Sequence, residues 1–146
     1  MVFPELPLPA EQLVPQRPPM LLVGQLLRRA REPDEALAEA DVPLDGIFID
    51  PNGQVLPEYF VELVAQAMAA VNGYDSLVEG ASGGKGFLVG IDGFTWPGTA
   101  SPGDHLRVEI TKVYEFGPVS VMHGIVLNDQ GFVLASGDIK AWEEPS

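Results

Sequence analysis

The sequence contains no cysteine. This excludes disulfide frameworks, thiolate catalysis and cysteine-based zinc sites, and it agrees with a reducing compartment. No apolar run approaches the roughly 20 residues that a helix needs to cross a bilayer. Glu5, Glu11 and several prolines interrupt the beginning of the chain, which therefore lacks the basic flank and apolar centre of a signal peptide. We expect a cytoplasmic protein with no membrane partner.

Basic residues are scarce. Eight lysines and arginines face 21 acidic residues, and the formal charge is −13. Nucleic acid binding requires clustered Lys and Arg and is therefore not expected. The one close group, Arg28, Arg29 and Arg31, has two interpretations: a solvated strand end, or a contact for the phosphate of a phosphopantetheine group.

Apolar residues make up 46% of the 146 residues, which is enough for one domain with a buried core. We find no internal repeat and no domain boundary, so residues 1–146 are predicted to form a single domain. Residues 1–19 are Pro-rich and are expected to be largely irregular, because proline fixes φ and lacks a donor.

Two strands are predicted ahead of a helix. The segment from Met20 to Arg29 (MLLVGQLLRR) is apolar enough for a buried strand, and EALAEADV, which begins at Glu35, alternates as a half-buried strand does. The turn signal at residues 32–34 suggests that they form an antiparallel hairpin.

The helix follows a tight DPNG turn at residues 50–53. Pro57 suits the first helical position, and Glu58 suits the positive end of the helix dipole. Helix formers continue to about Asn72, and Gly73 is predicted to stop the helix. Its apolar residues lie nearly all the way round, which is typical of a helix wrapped by other structure.

Four more strands are predicted after the helix, separated by Pro/Gly turns: about Gly86 to Trp96, His105 to Phe116, Val119 to Leu127, and Phe132 to Trp142. One apolar helix and a long antiparallel sheet indicate an α+β protein whose sheet curls around the helix. That layout is the hotdog fold.

Three motifs in the correct order resemble the β-hydroxyacyl-acyl-carrier-protein dehydratases of the FabA/FabZ type. They are VPQRPPMLLV, VLPEYFVELVAQAMA and GIDGFTWPGTASPGDHLRVEI. The PMLLV opening, the DPNG turn and the ELVAQ helix are similar in particular to the divergent dehydratase-like branch found with aryl polyene biosynthesis genes. The resemblance covers nearly the whole chain and implies fatty acid or polyene biosynthesis.

The resemblance also implies a site. Dehydration of a 3-hydroxyacyl thioester needs a base, an acid and a donor for the thioester oxygen. Glu62 matches the family's helix carboxylate, which handles the hydroxyl, and Gln66 matches the family's helix glutamine. The donor in the family is a peptide N–H at the helix start. The alternative to a catalytic role is a purely structural one, in which a buried Glu62 is hydrogen-bonded to Gln66 and takes part in no reaction. Neither a cofactor nor a metal is expected.

The family's catalytic histidine is missing. Its loop corresponds to residues 46–53, where Asp50 is a candidate substitute base; its structural alternative is a residue that caps the DPNG turn. His105 is predicted to be an exposed strand residue, and His123 a core or interface histidine. Gln16 replaces the histidine of the opening motif.

Three functions remain open: a dehydratase-like enzyme on an acyl-ACP or acyl-CoA thioester, a hotdog thioesterase that uses Glu62, and a non-catalytic acyl-binding or partner-binding subunit. The acidity of the chain weakens docking to an acidic carrier protein. Hotdog sites lie between two protomers, so a homodimer or a heterodimer with another hotdog subunit is expected.

Overall fold

The computed structural model describes residues 5–79 and 86–143. Within them, seven antiparallel strands form one sheet around one long helix. The helix α1 spans Pro57–Glu79, and the sheet order is β1-β2-β3-β5-β6-β7-β4. The strands are β1 (Leu8–Pro9), β2 (Gln25–Arg31), β3 (Asp34–Asp41), β4 (Gly86–Thr95), β5 (His105–Phe116), β6 (Val119–Asn128) and β7 (Val133–Glu143), with a 3₁₀ turn at Ala10–Gln12. The predicted α+β architecture is confirmed.

Alternation of side chains in β5 shows which face of the sheet packs on the helix. In β5 the side chains of Leu106, Val108 and Ile110 are buried, while those between them point to solvent. Gly124 on β6 lets α1 lie close to the sheet, because a Cβ there would lie 2.4 Å from Val64 Cγ1. Helix and strands thus share one core.

The predicted end of the helix is wrong. Gly73 does not stop α1, which continues to Glu79. A Cβ on Gly73 would lie 2.1 Å from the carbonyl oxygen of Leu13, so glycine is needed here because the N-terminal segment crosses the helix at this point. The sequence pattern of a stop and that of a close contact are the same, a lone glycine.

The Pro-rich start is more ordered than predicted in the part that the structure describes. Leu8 and Pro9 pair with β2, and Ala10, Leu13 and Val14 are buried. The strand predicted from Met20 is also wrong over its first residues, since β2 begins at Gln25. The backbone of residues 20–23 instead meets a side chain of α1, described below.

Arg29 and Arg31 on β2 form ion pairs with the second half of the helix. Arg29 is 3% exposed and donates two hydrogen bonds to Asp75 on α1 and one to Asp34 on β3. Arg31 pairs with Asp75 and Glu79. The last turns of α1 carry acidic side chains, which the helix dipole disfavours, and these arginines supply the compensating charge. The interpretation as a solvated strand end is therefore wrong for Arg29.

Strand β4 lies at one end of the sheet, and its outer edge pairs with no other strand that the structure describes. Val89 and Ile91 on this strand are about half exposed. Within residues 5–79 and 86–143, no helix has the length and apolar content that membrane crossing requires.

The close contact at Gly73 leads to a test. Gly73→Ala would normally stabilise a helix interior by up to about 1 kcal/mol. Here the added Cβ would collide with the Leu13 backbone, so we expect a loss of about 1–3 kcal/mol in the free energy of unfolding, measured by urea denaturation. Asn72→Ala, one position earlier, is the matched control and should be neutral or slightly stabilising. A stabilised Gly73→Ala protein would contradict the contact.

Candidate active site

A cavity of about 400 Å³ opens beside the first turns of α1. Its lining is largely apolar but includes two carboxylates. The lining residues are Phe48, Pro57, Glu58, Val61, Glu62, Ile91 and Trp96. An apolar pocket with a few polar groups is the usual form of a small-molecule site.

Helix geometry brings Glu62 and Gln66 together. They are four residues apart on α1 and so lie on one face. The Gln66 side-chain nitrogen donates a hydrogen bond to Glu62 Oε1 at 3.0 Å. Glu62 is half-buried and lines the cavity, while Gln66 is 1% exposed behind it. The carboxylate is thus held in place from the core side.

Gln66 is itself held by the backbone of residues 20–23. Its Oε1 accepts the N–H of Leu22 at 2.7 Å and that of Val23 at 3.4 Å, and its Nε2 also donates to the Met20 carbonyl at 2.8 Å. A buried amide requires such partners. The MLLV opening and the ELVAQ helix of the sequence therefore meet at one side chain.

Asp50 lies in the turn before the helix and not in the cavity lining of this chain. Its Oδ1 accepts the N–H groups of Asn52 and Gln54 at 2.8 and 2.9 Å. This is the geometry of a turn-capping aspartate. The structural alternative fits these contacts, and a role for Asp50 as a base remains a prediction.

The two histidines lie outside the cavity. His105 at the start of β5 bonds Asp129 through Nδ1 and Glu39 through Nε2, and is half-buried where an exposed strand residue was predicted. His123 on β6 bonds Asp138 on β7 at 2.7 Å. Among the described residues, no histidine lines the cavity beside Glu62.

The sequence offers four aromatic or sulfur side chains as the lining of an acyl tunnel, with plain core as the alternative: Phe87, Phe94, Trp96 and Met68. Trp96 lines the cavity and donates its indole N–H to the Pro57 carbonyl at 3.1 Å. Phe94 packs against Trp96, Met68 is plain core, and the side chain of Phe87 lies outside the described residues.

Glu58 lines the cavity, which the sequence did not predict. From the sequence, its position in the first turn is explained by the helix dipole alone. The spacing of four between Glu58 and Glu62 places them on one helical face and was the available signal.

The curled sheet, the single helix and its carboxylate–glutamine pair define a hotdog protein. The family model of ApeP-like proteins, described as ApeP dehydratase, matches residues 8–146. The chain therefore belongs to the ApeP-like dehydratase family, which confirms the resemblance seen in its motifs.

Relatives and solved structures agree. The FabZ 3-hydroxyacyl-[acyl-carrier-protein] dehydratase of Bacillus pumilus is 31% identical over 111 residues, 75% of this chain and 76% of that protein. The FabZ of Geobacillus sp. is 28% identical over 123 residues, 82% of each chain.

Two solved structures share the fold at lower identity. The dehydratase heterocomplex ApeI:P from Xenorhabdus doucetiae matches with a TM-score of 0.80 at 21% identity, over 95% of this chain and 93% of that chain. A hypothetical thioesterase with coenzyme A from Streptococcus pneumoniae matches at 0.65 and 14% identity, over 83% and 85%. These likenesses confirm the hotdog fold.

The bonds of Gln66 predict a stability effect. Gln66→Leu leaves the Leu22 N–H and the Met20 carbonyl without their partner, so the free energy of unfolding should fall by about 1–3 kcal/mol. Urea denaturation measures this loss, and the dependence of the free energy of unfolding on urea concentration should have the same slope in both proteins. Glu62→Gln keeps an acceptor for Gln66 and should cost less than about 1 kcal/mol. Equal losses in the two variants would contradict the anchoring role.

His105 predicts a pH dependence. Hydrogen bonds that the His105 ring donates to the Asp129 and Glu39 carboxylates raise the pKa of His105 above its ordinary value. A raised pKa in the folded state stabilises the fold below the unfolded pKa of about 6.5, and that stability is lost as pH rises through the folded pKa. At pH 5.5 the free energy of unfolding of wild type should exceed that of His105→Gln by less than about 1 kcal/mol, since His105 and its two partners are partly exposed. The difference should shrink by pH 9; a constant difference across this range would refute it.

Proposed function

We propose that this protein acts on 3-hydroxyacyl thioesters as a dehydratase-type hotdog subunit, with Glu62 against the reacting carbons. The hydrogen bond from Gln66 to Glu62, at the wall of a largely apolar cavity, supports this most directly. Membership of a dehydratase family agrees with it.

The chemistry assigns each group a task. The C2 proton must be removed and the C3 hydroxyl must leave as water, so an acid is needed beside C3. Glu62 in its protonated form would give its proton to the hydroxyl, while Gln66 keeps the carboxyl group oriented from the core side. Peptide N–H groups of the first helical turn would polarise the thioester carbonyl, because their dipoles point towards the helix start.

We further propose that the site is completed in a dimer. The outer edge of β4, which pairs with no other strand in the described part of the chain, offers backbone groups and the exposed apolar side chains of Val89 and Ile91 to a second hotdog chain. Ile91 also lines the cavity, so a partner at this edge would lie beside the site. The dehydratase heterocomplex of Xenorhabdus doucetiae favours a heterodimer over a homodimer.

A second candidate is a non-catalytic acyl-binding subunit. It is favoured by the absence of a histidine from the cavity lining in the part of the chain that the structure describes. A thioesterase that uses Glu62 alone would share the same geometry but would release a free thiol.

One assay separates these functions. The purified protein, alone and mixed with a histidine-containing hotdog subunit, is incubated with 3-hydroxybutyryl thioesters of coenzyme A and of a carrier protein. Enoyl absorbance and free thiol are followed together. We expect enoyl formation that falls about 100-fold or more in Glu62→Gln, because the acid is lost.

Glu11→Gln is the matched control, since Glu11 is an exposed glutamate that is not among the cavity-lining residues. Its enoyl formation should equal that of wild type. Thiol release that depends on Glu62 would establish the thioesterase instead. If neither enoyl thioester nor free thiol is formed by wild type or by Glu62→Gln, the result would support the binding subunit and contradict the dehydratase.

A further inference from the structure

We propose that Glu58 is the base of this site and removes the C2 proton, the task for which related dehydratases use histidine. The inference rests on the proposed dehydratase function and deepens it. It comes from the cavity: Glu58 and Glu62 are the two titratable side chains in its lining, as far as the described residues show.

The spacing of the two carboxylates suits an elimination. Glu58 and Glu62 are separated by one helical turn, and such residues have Cβ atoms about 5–6 Å apart on the same face. Both side chains line the same cavity, so the adjacent C2 and C3 atoms of a substrate that lies along the helix would each have one carboxylate beside them.

The surroundings of the two groups differ in a way that assigns their roles. Glu62 is half-buried and accepts a hydrogen bond from Gln66 on Oε1, which leaves the other oxygen to carry a proton towards the hydroxyl. Glu58 is exposed at the cavity, and its side chain forms no hydrogen bond or ion pair with another described residue. An unpaired carboxylate at the solvent side can accept a proton and pass it to water.

Other candidate bases are held elsewhere in this chain. The Asp50 carboxylate accepts two peptide N–H groups within its turn. His105 is bonded through both ring nitrogens, and His123 is bonded to Asp138. None of these three side chains lines the cavity.

The proposed step balances. The Glu58 carboxylate takes the proton from C2, and the electron pair of that C–H bond moves onto the thioester oxygen as an enolate, which the peptide N–H groups of the first helical turn stabilise. The electron pair then returns to form the C2–C3 double bond. The C3–O bond breaks as Glu62 donates its proton to the leaving hydroxyl, which departs as water. Glu58 ends protonated and Glu62 ionised, and proton exchange with solvent restores both. Because both groups project from one helix face, proton and hydroxyl leave from the same side of the substrate.

Proton exchange at C2 tests the assignment separately from dehydration. The protein alone is incubated in D₂O with 3-hydroxybutyryl pantetheine, and deuterium at C2 is measured by mass spectrometry beside enoyl formation. Glu58→Gln should lower both about 100-fold or more, whereas Glu62→Gln should lose enoyl formation and keep C2 exchange. Glu58→Asp, which keeps a carboxylate, should retain part of the exchange. Helix content by circular dichroism controls for folding.

The alternative outcomes are distinct. Wild-type exchange in Glu58→Gln would overturn the role of Glu58 and leave the dehydratase standing. Dehydration by a mixture with a histidine-containing hotdog subunit that is equally fast for wild type and Glu58→Gln would also overturn Glu58, because the base would then come from the partner. No turnover by the protein alone or by the mixture would overturn the proposed function and this inference together.

Discussion

The structure depends on one buried amide. Gln66 has no access to water, so each of its polar atoms must find a partner within the protein. Those partners are the backbone of Met20, Leu22 and Val23 on one side and the Glu62 carboxylate on the other. The same side chain therefore fixes the opening segment against the helix and orients the group proposed to meet the substrate. Fold and site are coupled through it.

A second interaction, the ion pair of Arg29 with Asp75, holds the C-terminal half of the helix. Arg29 is buried beneath Asp75 and Asp34 and gives the helix an anchor where its own dipole disfavours acidic residues. Pairing of this kind is required, because an isolated buried charge would be costly. Because α1 is held at Gln66 and again at Asp75, its first turns present Glu58 and Glu62 from a rigid element. Sites on rigid elements hold their geometry better than sites on loops.

Much of the fold could be predicted from the sequence, because it rests on local patterns. Alternation in β5 and the apolar circumference of α1 fix which side chains turn inward, and the hotdog layout follows. The failures have a common cause. Gly73, Arg29 and Met20 each act through a distant part of the chain: the Leu13 backbone, Asp75 and Gln66. Sequence spacing carries no direct trace of such contacts.

The candidate site divides in the same way. Glu62 and Gln66 could be found because they stand in a motif at helical spacing. The spacing of four between Glu58 and Glu62 is also that of an ordinary first-turn glutamate, and only the structure shows that the two line the same cavity. Asp50 was a candidate by sequence position alone, and its hydrogen bonds within the turn became visible only in the structure.

The most direct test is a crystal structure with a slowly reacting 3-hydroxyacyl pantetheine analogue, in which an amide nitrogen replaces the thioester sulfur and makes the C2 proton less acidic. The account predicts that the acyl group enters the cavity between Phe48 and Trp96, with its 3-hydroxyl within hydrogen-bond distance of Glu62. An analogue bound elsewhere, with Glu62 out of reach of the acyl group, would contradict it.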